Sequence, residues 1–169
     1  IYNLAKENSL SIAKDLSTVN EINRNLEEQY AIRGLILKNV NGEERTIDLA
    51  KFRVNGDFKN NPYLKNDDII IFPAVDLDRN FVRVIGAVNN PIKFMFVDGD
   101  KLSDAIELAQ GINKAYTDVD KAMIYRLNND GTQIDSIIVG LNEDISLKRG
   151  DRVFIAAAEN KRQDYKVNV

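Results

Sequence analysis

Neither cysteine nor histidine occurs anywhere in these 169 residues, and tryptophan is absent as well. Without thiols or imidazoles there is no disulfide, no thiolate nucleophile, no ordinary zinc centre, and no side chain that titrates near neutrality unless its environment forces it to. The catalytic classes built on those groups fall away, and the chain reads as a protein that is not an enzyme and needs no metal or cofactor. Basic runs are missing too. The 23 Lys and Arg are scattered among 26 Asp and Glu, for a formal net charge of −3. A duplex-binding surface needs concentrated positive charge, so nucleic acid is not an expected partner. Nor does any stretch approach the roughly 18 apolar residues that a spanning helix requires, so membrane contact by this segment is not expected. What is present is a globular balance of 44% hydrophobic and 29% charged residues, enough to bury a core. The chain opens at Ile1 and not at a methionine, which suggests a soluble piece of a longer protein.

The most informative feature is an internal echo. At an offset of 83 residues, "YLKNDDIIIFPA" from Tyr63 falls on "SLKRGDRVFIAA" from Ser146, with Leu64, Lys65 and Asp68 meeting Leu147, Lys148 and Asp151. The same offset carries Ala74 to Ala157, Arg79 to Arg162, Val82 to Tyr165 and Val84 to Val167. Upstream, "LILKNVNGEERTIDL" from Leu35 parallels "MIYRLNNDGTQIDSI" from Met123 at a slightly different offset, each being an apolar run, a turn and a second run. Self-similarity of this kind marks repeated supersecondary units whose loops differ in length.

Local chemistry assigns the elements of the more complete copy. "FVRVIGAV", Phe81 to Val88, and "IKFMFV", Ile92 to Val97, are β-branched or aromatic runs joined by Asn89-Asn90-Pro91, and so predict a hairpin. Asp98-Gly99-Asp100 then opens a helix with Asp100 as its expected cap, Leu102, Ala105, Ile106 and Ala109 as its buried stripe, and Gly111 as its left-handed stop. A second hairpin follows, "AMIYRL" and "QIDSIIV" around Asn129-Asp130-Gly131. Finally Lys148 to Asp151 turns the chain into "RVFIAA", with Gly150 expected at positive φ. The order is strand, strand, helix, strand, strand, strand.

One helix across a small mixed sheet is an α+β plan of the β-grasp kind. The residues Val84, Gly86, Val88 and Pro91, then Leu102, Ala105, Ile106, Ala109 and Gly111, then Leu147, Gly150, Asp151 and Val153 form a pattern that resembles the SLBB module, a soluble-ligand-binding β-grasp domain. It resembles most the tandem copies in bacterial polysaccharide export proteins of the outer-membrane auxiliary family. The chain departs from that pattern at Ala87, where the family usually has an acid, at Ile92 and Gln110, where it has glycine, and at Asp67, where the first copy lacks the turn glycine. The resemblance implies a partial first module over residues 1–76, whose opening strands are missing, a complete second module over 77–158, and a tail over 159–169 that starts a further hairpin. It also implies a periplasmic, non-catalytic part in a polysaccharide (capsule or exopolysaccharide) export complex. The modules would pack as a homo-oligomeric ring, with the polymer as a transient partner and an inner-membrane polysaccharide co-polymerase as a neighbour. The rival implication is a small-ligand or carbohydrate receptor.

Other features admit two readings each. The acid pairs Asp76/Asp78, Asp98/Asp100 and Asp118/Asp120 could ligate calcium or supply a glycosidase acid and base, yet none continues into a calcium loop, and turns or caps serve as well. Phe94, Phe96, Tyr116 and Tyr125 could stack on sugars or fill the core. The stripe Ile12, Leu16, Val19, Ile22 and Leu26 predicts a helix, either an oligomerising seam or a cover for its own sheet.

Overall fold

A computed structural model describes residues 30–128 and 130–157. The expected helix at Ile12–Leu26, the strand in the tail beyond residue 157 and the turn residue Asn129 lie outside that range. The chain divides into two compact units, Ile1–Val75 and Asp76–Val169, and both are mixed α+β. No helix among the described residues is long and apolar enough to cross a membrane.

In the first unit β1 (Arg33–Lys38) lies between β2 (Glu44–Asp48) and β3 (Ile69–Ile71), antiparallel to both. Along β1 burial alternates, with Arg33, Leu35 and Leu37 on the inner face, as the two-residue period of a strand demands. Leu35, Leu37, Ile47 and Leu49 form the core, flanked by Ile32 and Ile70. The buried Arg33 reaches Asp48 opposite it in register, with Nε at 2.8 Å and Nη2 at 2.7 Å from Oδ2. The other Asp48 oxygen accepts the Lys51 N–H at 3.0 Å and so starts α1 (Leu49–Asn55), which ends at Gly56. This helix replaces the end of the apolar run that the repeat predicted through Leu49. Its signals, a capping Asp and a closing Gly around Leu49–Asn55, stand in the sequence but are masked by the parallel with Met123–Ile137.

The second unit runs β4 (Phe81–Gly86), β5 (Ile92–Met95), α2 (Leu102–Leu108), β6 (Lys121–Leu127), β7 (Ile134–Gly140) and β8 (Arg152–Ala156). Its sheet order is β5-β4-β8-β6-β7. The central pair β4 and β8 is parallel, and the other pairings are antiparallel. Val82 and Val84 of β4, Ile124 of β6, and Val153 and Ile155 of β8 are fully buried, as are Leu102 and Ala105 of α2. Both strands of the first hairpin are two residues shorter than their patterns predict. At Gly86 the backbone turns to φ 99 and leaves the ladder, and Val88 forms an isolated bridge with Ile112 instead.

The echo in the sequence has a structural counterpart. The set β2-β1-β3 has the same arrangement as β7-β6-β8: a hairpin whose first strand also pairs antiparallel with the last strand of its unit. The turn leading into that last strand is closed in the same way in both. Asp68 Oδ2 accepts the Lys65 N–H at 2.8 Å, and Asp151 Oδ2 accepts the Lys148 N–H at 2.7 Å. The residue before each acid has positive φ, 65° at Asp67 and 86° at Gly150. Val97 to Asp100 repeats the device a third time, with the Val97 N–H donating to Asp100 Oδ2 at 2.9 Å. This corrects the expected role of Asp100. Its carboxylate closes the turn behind it, and the helix cap position belongs to Lys101, whose N–H donates to Asp104 at 2.9 Å.

At the far end of α2, Gln110 and Gly111 both stand at positive φ, 62° and 83°. A side chain in this region costs about 1–2 kcal/mol, so Gln110→Gly is expected to stabilise the second unit by about 1 kcal/mol. That would raise its Tm by roughly 4–8 °C, and thermal denaturation followed by circular dichroism reads it directly. A lowered Tm would mean that the Gln110 side chain supplies a contact worth more than the strain.

Candidate functional site

The motif residues gather into two clusters, and both do structural work. In the first, the end of α2 is bound to the turn between β4 and β5. Asn90 N–H donates to Ala109 O at 3.0 Å, Asn89 N–H to Gly111 O at 3.0 Å, and the Asn89 side-chain amide to Gln110 O at 2.7 Å. Val88 and Ala109 are buried in this junction, whereas Pro91 is exposed. Gly86 supplies the close approach, because a Cβ there would overlap the carbonyl oxygen of Ile155. Val84, Leu102 and Ala105 belong to the core beside it.

The second cluster surrounds Asp151, whose side chain is fully buried. It accepts from Arg126 Nε at 2.9 Å and Nη2 at 2.7 Å as well as from the Lys148 backbone. That bidentate pairing holds the Arg126 proton more tightly than usual, chiefly through the hydrogen bond to Asp151. Arg126 Nη2 also donates to Ser146 O at 3.1 Å. Leu147 N–H donates to Asp100 O at 2.8 Å and Leu102 N–H to Ile145 O at 2.9 Å, so the segment before β8 is tied to the start of α2. Asp144 holds its carboxyl below the ordinary range by hydrogen bonds from Ser103, with Lys101 Nζ 3.2 Å away.

The acid pairs do not come together. Asp76 Oδ1 accepts the backbone N–H groups of Asp78 and Arg79, and Asp100 closes its turn. Among the described residues no three acidic side chains converge as a cation would need. The aromatic residues divide: Phe94 is buried in the core, while Tyr125 lies on the side of the sheet away from α2.

That open side holds the feature which sequence reasoning missed. Alternation along the strands and the pairing registers place Arg83 and Phe81 of β4, Lys93 of β5, Arg152 and Phe154 of β8, Tyr125 and Lys121 of β6, and Ile134 and Ile138 of β7 on it. No acidic strand residue shares this face, in a chain whose net charge is negative. At one end of it a cleft of about 360 Å³ is lined by Arg79, Phe81, Tyr125, Leu127, Ile134, Arg149, Gly150 and Arg152. The starts of β4 and β8 and the end of β6 form its floor. The Lys148–Asp151 turn forms a wall, pinned where Gly150 N–H donates to Phe81 O at 2.7 Å. Among the described residues no acidic side chain pairs with the guanidinium of Arg79, Arg149 or Arg152. A single line of sequence holds no signal for this convergence, because the arginines are scattered and meet only through the strand order.

No protein-family model matches the chain, and no curated protein matches it in sequence.

Proposed function

We propose that the chain carries two consecutive β-grasp modules of the SLBB kind, the first incomplete, and that they serve as a non-catalytic structural segment of a periplasmic polysaccharide export assembly. The observation that supports this best is the recurrence of one sub-sheet, β2-β1-β3 and β7-β6-β8, with the same aspartate-closed turn before the last strand of each. In the second unit the parallel pairing of first and last strands, with one helix between the second and third strands, supports the β-grasp reading. The motif residues Gly86, Val88, Ala109, Gly111, Gly150 and Asp151 act on backbone geometry in this reading. Small modules of this size gain by covering sheet edges and faces with neighbours, which suits ring packing of identical chains beside an inner-membrane co-polymerase.

In-frame removal of the segment that encodes these residues from its host gene tests the reading. Surface polysaccharide is expected to fall severalfold while polymer accumulates inside the cell envelope. Unchanged surface polysaccharide, with the shortened protein still produced, would overturn it.

A further inference from the structure

We propose that the cleft at the end of the second unit's open sheet face binds a uronate, the carboxylate-bearing sugar of an anionic polysaccharide, with Arg79, Arg149 and Arg152 taking the carboxylate and Phe81 and Tyr125 flanking the ring. The choice of a polymeric sugar rests on the export reading, whereas the charge and shape of the site rest on the geometry alone.

The fold gathers like charge here against its own interest. Arg152 lies beside Arg83 in the parallel β4–β8 register, and like charges on adjacent strands repel. Among the described residues no acid pairs with the three cleft arginines, so they hold a positive field that an arriving anion relieves. A guanidinium fork matches a carboxylate in two parallel hydrogen bonds, which suits three arginines around one acidic group. The rest of the lining is largely apolar: Phe81 and Tyr125 are half-buried, with Lys93 Nζ lying over the Phe81 ring 4.5 Å from its centroid, and the walls are completed by Leu127 and Ile134. An inorganic anion leaves such walls unused, while the C–H face of a pyranose ring packs on them. The volume of about 360 Å³ is in the range of small-ligand sites and suits one or two sugar units.

Titrating the isotope-labelled chain with tri-galacturonate, and separately with maltotriose and with inorganic phosphate, tests the proposal by nuclear magnetic resonance. Tri-galacturonate is expected to shift the signals of Tyr125, Arg149 and Arg152 saturably, and maltotriose to leave them in place. Arg149→Gln, an exposed turn substitution that leaves Tm unchanged, is expected to weaken the binding about tenfold, and added salt to weaken it further. Four results would each overturn the assignment: no saturable shift at millimolar sugar, equal binding of maltotriose, phosphate binding as tightly as the uronate, or an Arg149→Gln/Arg152→Gln variant that binds unimpaired. The export reading fails separately. Uronate binding with surface polysaccharide unaffected by the deletion sinks export alone, and normal export without uronate binding sinks the cleft alone.

Discussion

Replacing Gly86 by alanine is expected to cost the second unit about 3 kcal/mol or more, a fall in Tm of roughly 12–24 °C for a domain of this size. Two effects add. The residue stands at φ 99, where a side chain is strained. The added Cβ would also overlap the Ile155 carbonyl oxygen and lie 3.0 Å from the Ile155 nitrogen. These are backbone atoms inside the β4–β8 ladder, and the same carbonyl accepts the Ala87 N–H at 3.0 Å, so relief requires opening the one parallel pairing in the sheet. Gly150→Ala separates the two effects. It too stands at positive φ, 86°, but its Cβ would meet nothing within 4 Å. Its expected cost is about 1–2 kcal/mol. Equal losses for the two variants in thermal denaturation would mean that the contact with Ile155 contributes nothing.

The second large effect belongs to Asp151. Asp151→Ala removes the bidentate partner of Arg126 and the acceptor of the Lys148 N–H at once, and leaves a partly buried guanidinium uncompensated. Breaking a buried pair from one side costs about 3–5 kcal/mol, and urea denaturation should show about 3 kcal/mol here because Arg126 keeps some exposure. Asp68 closes the matching turn in the first unit by its bond to the Lys65 N–H. Asp68→Ala is therefore expected to cost only about 1 kcal/mol, the value of one turn hydrogen bond. In a double-mutant cycle, Asp151→Ala with Arg126→Met should show a coupling of about 1–3 kcal/mol. Additive losses would show that the two residues stabilise the unit independently.

Much of this architecture is legible locally. β4 through β8 and α2 follow from alternation, turn residues and helical spacing, which depend on a few neighbours each. The exceptions are instructive. An Asp that caps a helix accepts backbone N–H groups ahead of it, whereas Asp100 accepts one three residues behind it. The sequence Asp98-Gly99-Asp100 satisfies either geometry, and only the path of the chain selects between them. The helix α1 was hidden for the opposite reason: its capping signals are local and clear, but the long-range parallel with the second unit favoured an extended run.

Taken alone, the sequence excluded thiol, imidazole and most zinc chemistry, displayed the echo between Tyr63–Ala74 and Ser146–Ala157, and located the turns, since each of these depends on residue identity or short-range order. Only the tertiary structure decided what lies beside what. Strand periodicity sorts residues between two faces of a sheet without saying which strand is the neighbour, and a pairing register is chosen by burial across the whole unit. Arg126 meets Asp151 because β6 pairs with β8 so that Tyr125 faces Arg152. The order β4-β8-β6 likewise brings Arg79, Arg149 and Arg152 to Phe81 and Tyr125. Loop closure over such distances is a property of the fold, and a reading made one residue at a time has no access to it.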